Sequence, residues 1–125
     1  MARLEHVNVT VTDPAATAAM LSDLFGWRIR WQGAAKLGGH TIHVGEDDTY
    51  LAVYTPPDGT AKSPESYHSH GGLNHVGVVV DDLDAVEAKA KARGLSTHSH
   101  ADYEPGRRFY FHDAVGIEWE VVSYA

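Results

Sequence analysis

The chain has 125 residues, a formal net charge of −7 and a hydrophobic fraction of 43%, which is typical of one small globular domain. It contains no cysteine, so disulfides, thiolate metal sites and cysteine nucleophiles are excluded. Its ten basic residues form no stripe, so we expect neither nucleic acid nor a membrane surface as a partner. No apolar run approaches the roughly 20 residues that span a bilayer, and no secretory signal opens the chain, so a cytoplasmic location is expected.

A ten-residue segment near the start of the chain recurs later in the sequence. The first copy covers residues 4–13 and the second covers residues 73–82. Leucine, histidine, aspartate and three valines coincide at one fixed offset, which goes beyond the valine alternation that unrelated strands share. We therefore predict a duplicated structural unit.

In the first copy, the opening strand is followed by a predicted helix. Asp13 is its N-cap and Pro14 occupies the first helical position. Apolar residues recur at helical spacing through Met20 and Leu24, starting from Ala16, and Gly26 is the predicted left-handed C-cap. Three short alternating runs then predict strands over Trp27–Gln32, His40–Val44 and Thr49–Tyr54.

The second copy continues in the same way. Acidic residues surround the predicted helix start, and basic residues precede Gly94 at its end, an order that complements the helix dipole. Leu83, Val86 and Ala90 form the predicted buried stripe. Strands are predicted over Leu95–His100, Arg107–His112 and Ile117–Ser123.

Both copies therefore have the order β-α-β-β-β. We predict an α+β fold of two tandem βαβββ modules that form a curled mixed sheet around a metal-containing cavity, with the helices outside. The modules cover about 3–55 and 72–124 of a single domain, 1–125. The linker of about 56–71 is rich in turn formers and has no apolar period.

Side-chain alternation places His6, His75 and Glu120 on matching faces of three strands. The neighbouring positions are apolar and are expected to pack beneath the helices: Val7, Val9, Val11, Val76, Val78, Val80, Trp119 and Val121. Two histidines and one carboxylate with open coordination positions form the facial triad of non-haem iron and related sites. The spacing equally permits three unrelated side chains on a solvated face.

Four motifs, taken in order, resemble the vicinal oxygen chelate superfamily, which includes glyoxalase I, fosfomycin-resistance proteins, bleomycin-binding proteins and extradiol dioxygenases. They are Glu5-His6-Val7, Phe25-Gly26-Trp27, Asn74-His75-Val76-Gly77 and the closing segment from Phe109 to Val121. In the closing segment, the family's fixed positions hold Asp113, Gly116 and Glu120, whereas Ala114 and Val115 replace the usual Pro-Asp. The resemblance covers nearly the whole chain.

The resemblance implies a divalent metal ion (Fe²⁺, Mn²⁺, Ni²⁺ or Zn²⁺) held by His6, His75 and Glu120. Glyoxalase I-like members take a further ligand, usually glutamate, from the fourth strand. Ala52 stands at that position here, and Tyr50, two residues earlier, is a poor substitute. True glyoxalase I activity is therefore not expected.

Three ligands with an open side resemble the fosfomycin-resistance and extradiol branches. The catalytic candidates are Glu120, His98, His100 and Tyr110, with His98 and His100 predicted on one face of the sixth strand. The substrate-binding candidates are Arg107, Arg108, Tyr50 and Asn8. Such histidines and arginines also occur on protein surfaces without a catalytic role.

The remaining histidines are weaker candidates. His68 and His70 lie in the predicted linker, where they would be solvated or form part of a lid. His40 and His43 fall on opposite faces of one strand, and His112 is predicted at a loop edge.

The leading functional hypothesis is a metal-dependent lyase, isomerase or extradiol-type dioxygenase acting on a small oxygenated molecule. The alternative is a resistance-type protein that binds a small molecule or antibiotic without catalysis, in a pocket lined by aromatic residues (Trp27, Trp31, Tyr50, Tyr54 and Tyr110). A degenerate member with a role only in oligomerisation is the third possibility. The resemblance also implies a homodimer, whose site lies within one chain or is shared between two.

Overall fold

The computed structural model describes residues 1–103 and 105–125. They divide into two compact units, Met1–Ala61 and Lys62–Ala125, here named unit 1 and unit 2. Unit 1 contains β1 His6–Thr10, α1 Pro14–Phe25, β2 Arg28–Ala34, β3 His40–Gly45 and β4 Tyr50–Thr55. Unit 2 contains β5 Val76–Val79, α2 Leu83–Ala92, β6 Thr97–Tyr103, β7 Gly106–His112 and β8 Glu118–Ser123.

Each unit has one four-stranded mixed sheet. The strand order is β1-β4-β3-β2 in unit 1 and β5-β8-β7-β6 in unit 2. The first strand of each unit runs parallel to the last, and the other neighbours are antiparallel. The α+β class and the two βαβββ modules predicted from the repeat are therefore confirmed.

The first helix begins and ends at the predicted caps. The Asp13 carboxylate accepts a hydrogen bond from the Ala16 N–H at 3.2 Å, and Gly26 closes the helix in the left-handed region at φ +70°. Ala16, the first of the apolar residues at helical spacing, is exposed to solvent. The buried positions are Pro14, Ala18, Met20, Leu21 and Leu24.

The second helix also follows the sequence signals. The Asp82 carboxylate caps it by accepting from the Ala85 N–H at 3.0 Å. Its buried face consists of Leu83, Val86 and Ala90, as predicted. Among the residues that the structure describes, no helix is long and apolar enough to cross a membrane.

Each helix covers one face of its own sheet and leaves the other face open. α1 contacts β3 and β4, and α2 contacts β6, β7 and β8. The largest fully buried side chains are Val11, Leu21, Ile42, Val44, Val53, Phe109, Phe111, Trp119 and Val121. Val7 departs from the predicted apolar face, since β1 is an edge strand and this valine is 38% exposed.

A β-bulge interrupts the second strand of each unit. In β2 the pairing with β3 passes from Ile29 to Trp31, and in β6 the pairing with β7 passes from His98 to Ala101. Ser99, in the second bulge, has a φ of +56°, a conformation that is costly for a residue with a Cβ. The bulge changes which face of the sheet the following residues occupy.

Candidate metal centre

Two of the three predicted metal ligands meet on the open face of the unit 2 sheet. His75 lies directly before β5, and Glu120 lies on β8, the strand that pairs with β5. His75 Nε2 is 3.1 Å from Glu120 Oε1. The imidazole is 36% exposed and the carboxylate 13% exposed, so the pair sits in a partly covered position that solutes can reach.

The turn before β8 determines how that strand presents its carboxylates. The Asp113 carboxylate accepts hydrogen bonds from the backbone N–H groups of Val115 and Ile117 at 3.0 and 2.9 Å, and from the indole N–H of Trp119 at 3.1 Å. Trp119 is fully buried on the helix-covered face. Side chains alternate along a strand, so anchoring Trp119 directs its neighbour Glu120 to the open face.

Arg108 binds the second oxygen of Glu120. Its Nη1 lies 2.8 Å from Glu120 Oε2, and its guanidinium lies 5.1 Å from the centre of the Tyr103 ring. The hydrogen bond to Glu120 raises the pKa of Arg108, although burial opposes this effect. The guanidinium is 15% exposed, so Glu120 is bridged between a cation and His75 with little access to bulk water.

Tyr110 lies beside the same pair. Its ring meets the His75 ring edge-on, with the centroids 5.9 Å apart. Burial, followed by the charge of Glu120 and a hydrogen bond to it, raises the pKa of the Tyr110 phenol. The phenol is therefore a proton-bearing group at neutral pH.

Glu118 is the residue at this centre that the sequence analysis did not select. Its Oε2 receives a 2.5 Å hydrogen bond from the Tyr67 hydroxyl and lies 3.6 Å from His75 Nδ1, while Oε1 lies 3.4 Å from His112 Nε2. The bond to Glu118, with some burial, raises the pKa of Tyr67 to about 12. Glu118 lies two residues before Glu120 on the same strand, so side-chain alternation could have placed both carboxylates on one face. No feature of the sequence connected Glu118 to Tyr67.

The two histidines of β6 are separated. His98 stacks on Tyr110 and His112, and its Nε2 is 3.2 Å from His112 Nδ1. His100 lies on the helix side, where its Nε2 is 2.6 Å from Glu87 Oε2 of α2. The prediction that both share one face is wrong, because the bulge between His98 and Ala101 adds one residue to β6 and so turns His100 to the other face.

Hydrogen bonds hold the partner of His100 in its charged form. Burial raises the pKa of Glu87, but the bonds from Thr97 and His100 outweigh burial, so the pKa is lowered overall. His100 is thus engaged in a contact between β6 and α2 on the covered side of the sheet.

The two adjacent arginines also separate. Arg107 Nη2 lies 2.9 Å from Asp84 Oδ1 on α2, an ion pair that raises the pKa of Arg107. Arg108 faces the opposite side and contacts Glu120. Of the two predicted substrate-binding arginines, the structure places Arg108 alone beside Glu120.

In unit 1, the third predicted ligand belongs to a column of stacked rings. The His6 ring is 4.9 Å from the Tyr50 ring at 12°, and Tyr50 is 4.6 Å from His43 at 24°. The Arg30 guanidinium lies 4.6 Å from the Tyr50 centroid. His6 Nδ1 is 2.8 Å from Glu5 Oε1, and this hydrogen bond lowers the pKa of Glu5.

The other unit 1 candidates lie on the same strands. Asn8 pairs with Ala52, the residue at the position of the expected fourth ligand, and Ala52 pairs with His43 on its other side. Burial lowers the pKa of His43, and the charges of His6 and Arg30 act in the same direction. Within residues 1–103 and 105–125, no three or more His, Cys, Asp or Glu side chains converge as a ready-made metal site.

The donor atoms that do meet fit a divalent ion. Two ligand atoms about 2.1 Å from one ion, at right angles, lie about 3 Å apart, which is close to the separation of His75 Nε2 and Glu120 Oε1. Imidazole and carboxylate are also ligands of first-row divalent metals.

The family model of the Glyoxalase/Bleomycin resistance protein/Dioxygenase superfamily matches residues 3–121. The chain belongs to this superfamily. A search of curated proteins gives no significant match.

Solved structures share the superfamily fold at low sequence identity. A glyoxylase/bleomycin resistance protein/dioxygenase domain from Frankia sp. has a TM-score of 0.82 and 18% identity, covering 98% of this chain and 92% of that one. The fosfomycin resistance protein FosX from Listeria monocytogenes has a TM-score of 0.75 and 17% identity, with coverage of 98% and 93%. TnmS3, an antibiotic binding protein from Streptomyces sp., has a TM-score of 0.72 and 17% identity, with coverage of 98% and 96%. At these identities the similarity shows the fold alone.

Proposed function

We propose that the chain is a divalent-metal-dependent enzyme acting on a small oxygenated organic molecule, by lyase or isomerase chemistry or by oxygenation. The observation that carries the proposal is the 3.1 Å approach of His75 Nε2 to Glu120 Oε1 on one open sheet face. His6 is the proposed third ligand, from the same chain or from the partner in a homodimer. The ion is Fe²⁺, Mn²⁺, Ni²⁺ or Zn²⁺, all of which accept two imidazoles and a carboxylate.

A bound divalent ion would supply Lewis acidity toward one or two substrate oxygens. Tyr110 then has a defined role, because its phenol lies beside the His75 ring and, with an ordinary tyrosine pKa of about 10, is protonated at neutral pH. A protonated phenol donates a hydrogen bond to an oxygen on which negative charge develops. We assign Tyr110 as the hydrogen-bond and proton donor of the site.

Arg108 is the proposed binding group for a substrate carboxylate. Its guanidinium already holds one carboxylate oxygen of Glu120 at 2.8 Å, and an arginine has further donors in the same plane. Asn8 and Tyr50 are proposed to contact the substrate from unit 1. His98, through His112, offers a path for protons between solvent and Glu118.

Metal analysis of protein purified without a histidine tag tests the proposal. We expect one divalent ion per site, retained through dialysis and lost in the variants His75→Ala and Glu120→Gln. His68→Ala is the matched control, since this exposed histidine is bonded to Glu65 instead of to the site. An ion-free parent that also fails to bind added Mn²⁺ or Zn²⁺, or variants that bind as the parent does, would sink the proposal.

A second candidate function, ligand binding without catalysis, is favoured by the ring column of unit 1. Stacked His6, Tyr50 and His43, with Arg30 over Tyr50, form an aromatic surface that suits a planar ligand. Titration of chelator-treated protein with planar aromatic acids, followed by tryptophan fluorescence, separates the candidates. Tight binding to ion-free protein that Tyr50→Ala abolishes supports sequestration; binding that requires the ion supports the enzyme.

A further inference from the structure

We infer that Glu5 is a positioning residue: it holds the His6 ring with its proton on Nδ1 and thereby leaves Nε2 free as a metal ligand. This inference rests on the proposed metal function and adds the residue that orients the His6 imidazole.

The His6 ring is fixed by two contacts. Glu5 Oε1 lies 2.8 Å from Nδ1, and the face of the ring stacks on Tyr50 at 12°. The Tyr50 hydroxyl also reaches the same Glu5 oxygen at 3.4 Å. The carboxylate and the stacking partner are therefore tied to each other as well as to the imidazole.

The hydrogen bond determines the tautomer. An ionised carboxylate only accepts hydrogen bonds, so the ring nitrogen facing it must carry the proton. A glutamate has an ordinary pKa of about 4.3 and is therefore ionised at neutral pH. A neutral imidazole protonated at Nδ1 has its lone pair at Nε2, the form that binds a metal ion.

The surroundings of His75 differ from those of His6. Its Nδ1 lies 3.6 Å from Glu118, within the range of an ion pair but beyond that of a hydrogen bond, while its Nε2 lies 3.1 Å from the proposed ligand Glu120. Carboxylates therefore face both ring nitrogens of His75, and in the ion-free protein neither contact selects the Nδ1–H form. The tautomer argument applies to His6, whose Nδ1 has the Glu5 carboxylate at 2.8 Å.

Long-range ¹H–¹⁵N NMR spectra of the ion-free protein test the inference directly. At a pH above the ordinary imidazole pKa of about 6.5, we expect His6 in the Nδ1–H tautomer. Glu5→Ala should remove that preference at His6 alone, whereas Glu5→Gln should preserve it, because the amide oxygen still accepts. Glu46→Ala, which removes a carboxylate of the same unit, is the control and should leave His6 unchanged.

A second measurement connects the tautomer to metal binding. By calorimetry, Glu5→Ala should bind Mn²⁺ about 10- to 100-fold more weakly than the parent, with recovery in Glu5→Gln. A proton on Nε2 of His6 in the parent, or a tautomer that Glu5→Ala leaves unchanged, would overturn the inference. The expected tautomer in a parent that binds no ion would instead overturn the metal function and leave the positioning role of Glu5 supported.

Discussion

The open faces of the two sheets carry different chemistry although the strands beneath them are equivalent. In unit 1 the last strand presents Tyr50 and Ala52, and in unit 2 it presents Glu118 and Glu120. Both strands pair in parallel with the strand that follows the repeated histidine. The two open faces therefore differ at two equivalent positions of the last strand, which carry an aromatic residue and an alanine in unit 1 but two carboxylates in unit 2. The duplicated backbone places these side chains in the same way in both units.

The covered faces, by contrast, are alike and predict the largest effects on stability. Trp119 and Leu51 occupy equivalent positions under the helices and are 0% and 5% exposed. Trp119→Ala should cost about 3–5 kcal/mol and Leu51→Ala about 2–5 kcal/mol. Denaturant unfolding provides the measurement. A loss below about 1 kcal/mol in either variant would break the equivalence of the two covered faces.

A smaller effect is expected at the bulge of β6. Ser99 has a φ of +56°, which a β-branched residue adopts only under strain, so Ser99→Val should destabilise the protein by about 1–3 kcal/mol. Ser99→Gly accepts this backbone conformation and is the matched control. Equal unfolding midpoints for the two variants would contradict the backbone strain assigned to Ser99.

The smallest effect concerns Tyr67, whose partner Glu118 is replaced by a tyrosine at the equivalent place in unit 1. The raised pKa of about 12 means that the Tyr67–Glu118 bond contributes its full stability below the ordinary tyrosine pKa of about 10. That contribution is lost as the pH rises toward 12. Alkaline titration of phenolate absorbance should show a tyrosine that ionises near pH 12 and that Tyr67→Phe removes.

Tyr124→Phe controls for the loss of one phenol. An unchanged alkaline limb of the titration in Tyr67→Phe would contradict the assigned bond between Tyr67 and Glu118.

Local sequence signals predicted much of this architecture. The repeat gave the order of elements, Asp13 and Gly26 marked the ends of α1, and strand parity placed Glu120 on an open face. Family resemblance selected His75 and Glu120 as partners, and the structure brings them together. These features depend on residues within one strand or helix turn, or on the duplicated backbone.

The contacts that the sequence did not predict have particular physical causes. The bulge that separates His98 from His100 adds one residue without a glycine to mark it. Tyr67 lies in a turn-rich segment whose position depends on a long-range bond to Glu118. Side-chain alternation along a strand already puts the neighbours Arg107 and Arg108 on opposite faces of the sheet. Both were nevertheless predicted to bind substrate, because both carry a positive charge.

The central claim is that a divalent ion binds between His75 and Glu120, and anomalous diffraction from crystals containing Mn²⁺ tests it most directly. We expect one anomalous peak about 2.0–2.3 Å from both His75 Nε2 and Glu120 Oε1. A Mn²⁺ peak elsewhere, with His75 and Glu120 still in direct contact and no ion between them, would contradict it.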